Sequence, residues 1–292
     1  MRQLFLPALL AAAAPAALAA EMRPVTVNGV GLEYAASGKG DPVLLIHGSI
    51  LADAFAPLAT EPALGKYRLI RYHRRGFAGS ARAQGPVSIA QQAADASALL
   101  ERLGVRRAHV VGHSYGAAIA LQLALDAPGV VRSLALLEPP LLAAVPRGPA
   151  FMDAMGPIVQ TYQQGDKAGA IDGFMIAVAG ADYRARVGPA VGPGAFDQAV
   201  ADADTLFQVE MPALQEWSVT KDTAGRIKGP VLTVIGTESA PVFREVNVLL
   251  KEWFPEAQEL VVPNATHALQ MMNPSAVAQG LARFYAGQRG RK

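Results

Sequence analysis

The sequence predicts an α/β protein, with a mostly parallel central sheet, helices on both of its faces and a mainly helical insertion. Three observations carry the prediction. Apolar runs of strand length, the pattern of strands buried on both faces, recur at residues 42–46, 108–111, 131–137 and 230–236. Segments with helical punctuation separate them, and strands that alternate with helices favour parallel pairing. The alternation lapses between Leu141 and Lys228, where Ala, Gly, Pro and Met dominate, and then resumes. The expected division is a leader at residues 1–20, a core built from 21–140 and 229–292, and a cap inserted at 141–228.

In chain order, residues 25–28 and 32–36 flank Gly29-Val30-Gly31 and read as an antiparallel hairpin. The run 42–46 follows the turn Gly38-Lys39-Gly40-Asp41 and ends in His47-Gly48-Ser49. A helix is expected over 52–60 and a strand over 67–72. Ser88 and Gln91 have capping-box spacing at the head of a helix that carries Leu99, Leu100 and Leu103 and stops at Gly104. Residues 108–111 lead into Gly112-His113-Ser114-Tyr115-Gly116 and a helix to 125. Past Pro128-Gly129 lies the strand 131–137, which ends in Glu138. Helical pieces are expected in the insertion at 150–164, 168–179 and 195–209. The strand 230–236, a helix over 241–254, a strand over 259–262, a loop ending in His267 and a last helix over 274–287 complete the order.

Composition narrows the functional classes. Hydrophobic residues make up 51% of the 292 residues and charged ones 17%, which describes a chain able to bury a large core and excludes disorder. Net charge is +2, and Arg71, Arg74, Arg75 and Arg82 are too dispersed for a nucleic-acid groove. Cysteine is absent, so neither disulfides nor thiol chemistry enter. At the amino terminus, Arg2, an apolar run over 4–18 and Ala17-Leu18-Ala19-Ala20 before Glu21 have the layout of a cleavable secretory signal. Pro7, Pro15 and the shortness of the run argue against a bilayer span. The expected location is the periplasm or outside the cell, with no stable membrane insertion after cleavage.

The stretch with the strongest chemical character is Gly112-His113-Ser114-Tyr115-Gly116, where an apolar strand enters, a serine sits between glycines and an alanine-rich helix leaves. That is the layout of a nucleophile elbow, in which glycines let strand and helix backbones approach around a strained serine. A serine hydroxyl needs an imidazole to take its proton and a carboxylate to orient that imidazole. Of the five histidines, His267 alone lies in a loop after the last strand, from which it can reach across the sheet edge. Arg74 and Arg75 are read as loop braces, and Asp95 as a solvated or sheet-packing residue. Met152, Met155, Met175 and Met211, with Phe151, Phe174, Phe196 and Phe207, are read as core, some of them lining an apolar pocket.

The motifs His47-Gly48, Arg75-Gly76-Phe77-Ala78-Gly79-Ser80, Gly112-His113-Ser114-Tyr115-Gly116 and Asn264-Ala265-Thr266-His267 occur in an order and spacing that resemble the α/β-hydrolase family. The resemblance spans essentially all of the chain after residue 20. It implies Ser114 as nucleophile, His267 as base and the backbone N–H groups of Ser49 and Tyr115 as oxyanion hole. It implies a small-molecule substrate and no metal or organic cofactor. One position departs from the family pattern. The loop after the strand 231–236 reads Gly236-Thr237-Glu238-Ser239-Ala240-Pro241, with Ser239 where most members carry the triad aspartate. Glu138 takes that role in the preferred reading, as in family members that place their acid after the strand following the nucleophile helix, and Glu238 is the rival. The activity implied is hydrolysis of a small to medium, largely apolar ester or lactone through an acyl-enzyme. Carbon–carbon bond hydrolysis of ring-cleavage products, cofactor-free perhydrolysis and a non-catalytic ligand receptor are the alternatives.

Overall fold

The computed structural model describes residues 20–288, so the leader expected at 1–20 lies almost entirely outside the described residues. Eight strands form one sheet in the order β1-β2-β4-β3-β5-β6-β7-β8. They are β1 (Arg23–Val27), β2 (Val30–Ser37), β3 (Pro42–Ile46), β4 (Arg68–His73), β5 (Ala108–His113), β6 (Val131–Leu137), β7 (Val231–Gly236) and β8 (Gln258–Val262). β1 runs antiparallel to β2 and β2 to β4, and every other pairing is parallel. The opening hairpin turns one residue earlier than the sequence suggests. Asn28 and Gly29 both have positive φ, 50° and 74°, the two-residue turn whose twist matches the strands it joins.

The period of two along the parallel strands divides the core between the two faces of the sheet. Leu44 and Ile46 of β3, with Val110 of β5 and Leu134 and Leu136 of β6, pack in one apolar layer. That layer also holds residues of α2 (Ile89–Arg102), α3 (Tyr115–Asp126) and α11 (Pro241–Trp253). Val43, Leu45, Val111, Ala135 and Leu137, the alternate residues of the same strands, face the other layer. There they meet Leu58 of α1 (Ala56–Ala59) and Val277, Leu281 and Phe284 of α13 (Pro274–Ala286). The expected helix over 52–60 is only the single turn of α1. Ser88 caps α2 through Gln91 in a complete capping box, as its spacing predicts. Asp95 of α2 is buried rather than solvated: it takes a bidentate contact from Arg75 and a hydrogen bond from Asn28.

Between β6 and β7 the chain is helical but more divided than its composition suggests. It holds α4 (Gly148–Asp153), α5 (Gly156–Gln163), α6 (Lys167–Ala179), α7 (Tyr183–Val191), α8 (Ala195–Ala201), a π-helical turn (Thr205–Glu210), α9 (Met211–Glu216) and α10 (Lys221–Ala224). The break at Gly192 and Gly194, both of positive φ, isolates α7 from α8. α7 contains Gly188 and Pro189, which hid it from a propensity reading. After β8 the short α12 (Leu269–Met272) precedes α13. Among the described residues, no helix is long and apolar enough to cross a membrane.

Candidate active site

β5 delivers Ser114 at a sharp turn, with φ 52° and ψ −124°. The turn is pinned from the next strand, since the Ser114 N–H donates to the carbonyl of Leu137 at 2.9 Å. A Cβ on Gly112 would come within 2.6 Å of the Ala117 Cα, and one on Gly116 would strike the backbone of Ile46 and His47. Strand and helix therefore approach as closely as the elbow pattern implies. Positive φ at a residue with a side chain is costly, and it gathers here: Ser114, Glu138 (φ 46°) and Ile50 (φ 74°) all adopt it.

β6 ends in Glu138, and the loop after β8 carries His267. The His267 Nδ1 meets the Glu138 Oε2 at 2.7 Å, with both side chains buried. The other carboxylate oxygen is satisfied as well, accepting from the Gly236 N–H at 3.0 Å and from the Ser239 hydroxyl. Ser239 thus donates to Glu138, a contact that the sequence reading did not foresee. Glu238 is elsewhere: it is half-exposed and pairs with Arg186 of α7 at 2.8 Å.

The imidazole of His267 is held from several sides. Phe243 of α11 stacks on it with centroids 4.1 Å apart, and His113 binds its backbone carbonyl through Nε2 at 2.7 Å. That bond requires Nε2 of His113 to carry the proton. Burial and the neighbouring His267 push the His113 pKa well below the usual value, so His113 is neutral. Two contacts tie the same loop to the helical segment between β6 and β7: Thr266 donates to the Ala179 carbonyl at 2.9 Å and Arg186 to that of Asn264 at 2.8 Å.

The second loop of interest follows β3. His47 is also held neutral, chiefly by burial and then by Arg74, and its Nε2 accepts from the Arg74 N–H at 3.0 Å. Ser49 comes next, at the mouth of a small pocket that Ser114, His113 and His267 also line. Tyr115 is the first residue of α3, so its N–H belongs to the helix-start donors that have no acceptor within the helix. The remaining pocket walls are apolar: Ile50, Leu51, Ala54, Phe174, Met175, Val178, Ala179, Ala268 and Met271. Of the Met and Phe residues singled out from the sequence, only Phe174 and Met175 reach it. No Asp, Glu, Lys or Arg is among the residues that line it. The pocket encloses about 20 Å³ of free space, room for about one water. Among the described residues, no group of three or more His, Asp or Glu is placed to hold a metal ion.

Strand ends bearing a strained serine, a buried imidazole–carboxylate pair and helix-start N–H groups define an α/β hydrolase fold with an assembled site. Comparison with known proteins agrees. The model of the alpha/beta hydrolase fold matches residues 41–175, somewhat less than half of the chain, and the chain has that fold. RutD of Azorhizobium caulinodans, assigned as a carbamate hydrolase, is 38% identical over 107 residues, 37% of this chain and 40% of that one. A fluoroacetate dehalogenase of a Burkholderia species is 33% identical over 128 residues, 40% of each chain. The matched region thus spans less than half the length of these relatives. Among solved structures, Est816, described as an N-acyl homoserine lactone degrading enzyme, is similar at 26% identity with a TM-score of 0.68, covering 89% of this chain and 99% of that one.

Proposed function

We propose that the protein is a serine hydrolase that cleaves a small to medium, largely apolar carboxylic ester or lactone through an acyl-enzyme. The observation that carries the reading is the 2.7 Å contact between His267 and Glu138, beside a strained Ser114 that lines the same pocket as the imidazole. With Nδ1–H donated to Glu138, Nε2 of His267 is the free base that takes the Ser114 proton as the hydroxyl attacks. A positioned base of this kind is worth typically 10² to 10⁴-fold. The N–H groups of Ser49 and Tyr115 receive the developing oxyanion, at about 2.7 to 4 kcal/mol per donor. The imidazolium then protonates the leaving alcohol, and a water activated by the same nitrogen releases the acid.

The apolar wall supports an uncharged acyl group. A carboxylate placed there would lose its hydration without a cation to replace it, which disfavours the dienoate substrates of carbon–carbon hydrolysis. The lactone degradation described for Est816 supports including lactones in the substrate class. Segment 141–228 acts in this reading as the cap, and residues 1–20 as an export signal whose removal leaves Glu21 first. A panel of chromogenic esters of graded acyl length, with a lactone, a dienoate and a hydrogen peroxide arm, tests the assignment. Turnover of the dienoate alone, or of none, contradicts it, and a periplasmic product that retains residues 1–20 contradicts export.

A further inference from the structure

We propose that Arg74 is a positioning residue that aims the Ser49 N–H into the oxyanion hole, with Glu210 of the inserted segment as its buried counter-ion. The inference rests on the serine-hydrolase reading and assigns a device within that site. Arg74 is 1% exposed and does not line the pocket. Its Nε donates to the His47 carbonyl at 2.9 Å and its Nη2 to the Gly48 carbonyl at 2.9 Å. The Gly48 oxygen also takes a bond from His47 Nδ1 at 2.7 Å. No peptide bond among the described residues is cis. In a trans peptide the N–H points opposite to the C=O, so fixing the Gly48 oxygen on the guanidinium turns the Ser49 N–H the other way. The rigid fork of an arginine holds two successive carbonyls in fixed directions from two different nitrogens, a geometry the single, rotating ammonium of a lysine does not reproduce.

The same guanidinium also packs on the side chain of Tyr115, whose N–H is the second donor. It lies 5.1 Å from the ring centroid of Tyr115 and 4.7 Å from that of Phe77, and Gln92, which accepts from Nη1 at 2.7 Å, reaches the Tyr115 hydroxyl at 3.4 Å. One buried cation therefore braces both stretches of backbone that supply oxyanion donors. Its charge is balanced across the boundary with the inserted segment. Glu210, 1% exposed at the end of the π-helical turn, sits 2.6 Å from Nη1. Apart from that ion pair, neither of its oxygens has a hydrogen-bond partner among the described residues, so Arg74 is what makes its burial tolerable. Neighbouring contacts fasten the two parts together: Thr205 donates to the Gly76 carbonyl at 2.7 Å, and Asp202 accepts from the Ala78 N–H at 2.9 Å and pairs with Arg82 at 2.7 Å.

Two variants test the assignment, with wild type as the reference. Arg74→Met combined with Glu210→Leu removes both charges, so no uncompensated ion is left behind, and replacing a buried pair by apolar residues often preserves stability. Arg74→Lys keeps the charge opposite Glu210 but gives up the two-carbonyl grip. The double variant is expected to lose about 10²-fold in kcat with KM little changed, and Arg74→Lys at least about tenfold. Affinity for a boronic acid, whose adduct on the serine is tetrahedral, should fall in the same proportion, while affinity for the product acid holds. Should the double variant fail to fold, Arg74→Lys decides the matter. Wild-type kcat in a folded variant, or a kcat loss with unchanged boronic acid affinity, overturns the proposal. A wild type that neither hydrolyses esters nor binds the boronic acid overturns the serine-hydrolase reading itself.

Discussion

The hydroxyl of Ser239 donates a hydrogen bond to Glu138, so the loop after β7 supports a carboxylate that follows another strand. Glu138 directly follows β6 with a φ of 46°, and the Gly236 N–H and Ser239 share one of its carboxylate oxygens while His267 takes the other. Both oxygens of Glu138 are thus bonded, one of them to His267. Four predictions follow from this geometry and from the pocket beside it.

Replacing Glu138 by Gln leaves His267 Nδ1 facing an amide that can present its NH₂ instead of an acceptor. Steady-state kinetics on a chromogenic ester should show a kcat loss of about 10² to 10⁴-fold with a small change in KM. Glu238→Gln breaks only the pair with Arg186, half-exposed and worth less than about 1 kcal/mol, and kcat should stay within a few-fold. The opposite ranking would transfer the acid to Glu238.

Restoring the family residue by Ser239→Asp should harm the protein. Ser239 and Glu138 are 1% and 2% exposed, and two carboxylates in hydrogen-bonding contact cannot both ionise in such a place. The melting temperature and the kcat at pH 7 should both fall. Adding Glu138→Gln to that variant removes the repulsion and should recover part of the stability. A single variant more active than wild type would contradict the assignment.

Met175, 4% exposed, forms part of the pocket wall together with Phe174 and Val178 of α6. Because the pocket holds only about one water, acetate and butyrate esters should be turned over faster than octanoate. Met175→Ala should shift the preference towards longer chains, by about tenfold or more per methylene pair accommodated. Its stability cost should be about 2 to 5 kcal/mol, readable from urea midpoints. An unchanged chain-length profile would place the acyl group elsewhere.

Stability should fall as pH drops below 6.5. His47 and His113 are held neutral in the folded state by burial, with pKa values well below the usual 6.5. The unfolded chain therefore binds more protons than the native one, and stability rises with pH across that window. Each histidine contributes up to about 1.4 kcal/mol per pH unit. Urea midpoints at pH 7.0 and 5.5 check the sign, and a midpoint that does not move or that rises at pH 5.5 contradicts it.

Much of the fold was legible because it depends on patterns short enough to read locally. The apolar runs located β3, β5, β6 and β7, and Ser88 with Gln91 marked the start of α2. The elbow and His267 were legible for a different reason, since chemistry restricts which residues can stand at a strand end. The missed features depend on contacts distant in sequence. The sequence reading preferred Glu138 to Glu238, but the contact of Glu138 with His267 and the pairing of Glu238 with Arg186 are not encoded in spacing. The division of segment 141–228 was hidden because Gly188 and Pro189 sit inside α7, where propensity argues for a break. Nor does any local signal show that Arg74, read only as a loop brace, holds the carbonyls of another loop, or that Glu210 would be buried against it. The signal that could have helped at the hairpin was Asn28-Gly29, a strong two-residue turn pair.

The central claim, an activated Ser114, is tested most directly by intact-mass spectrometry after incubation with a fluorophosphonate. Wild type should gain a single phosphonyl adduct that maps to the peptide containing Ser114 and abolishes ester turnover, and Ser114→Ala should gain none. A wild-type protein that remains unlabelled, or a Ser114→Ala variant that labels and turns over esters at the wild-type rate, would contradict it.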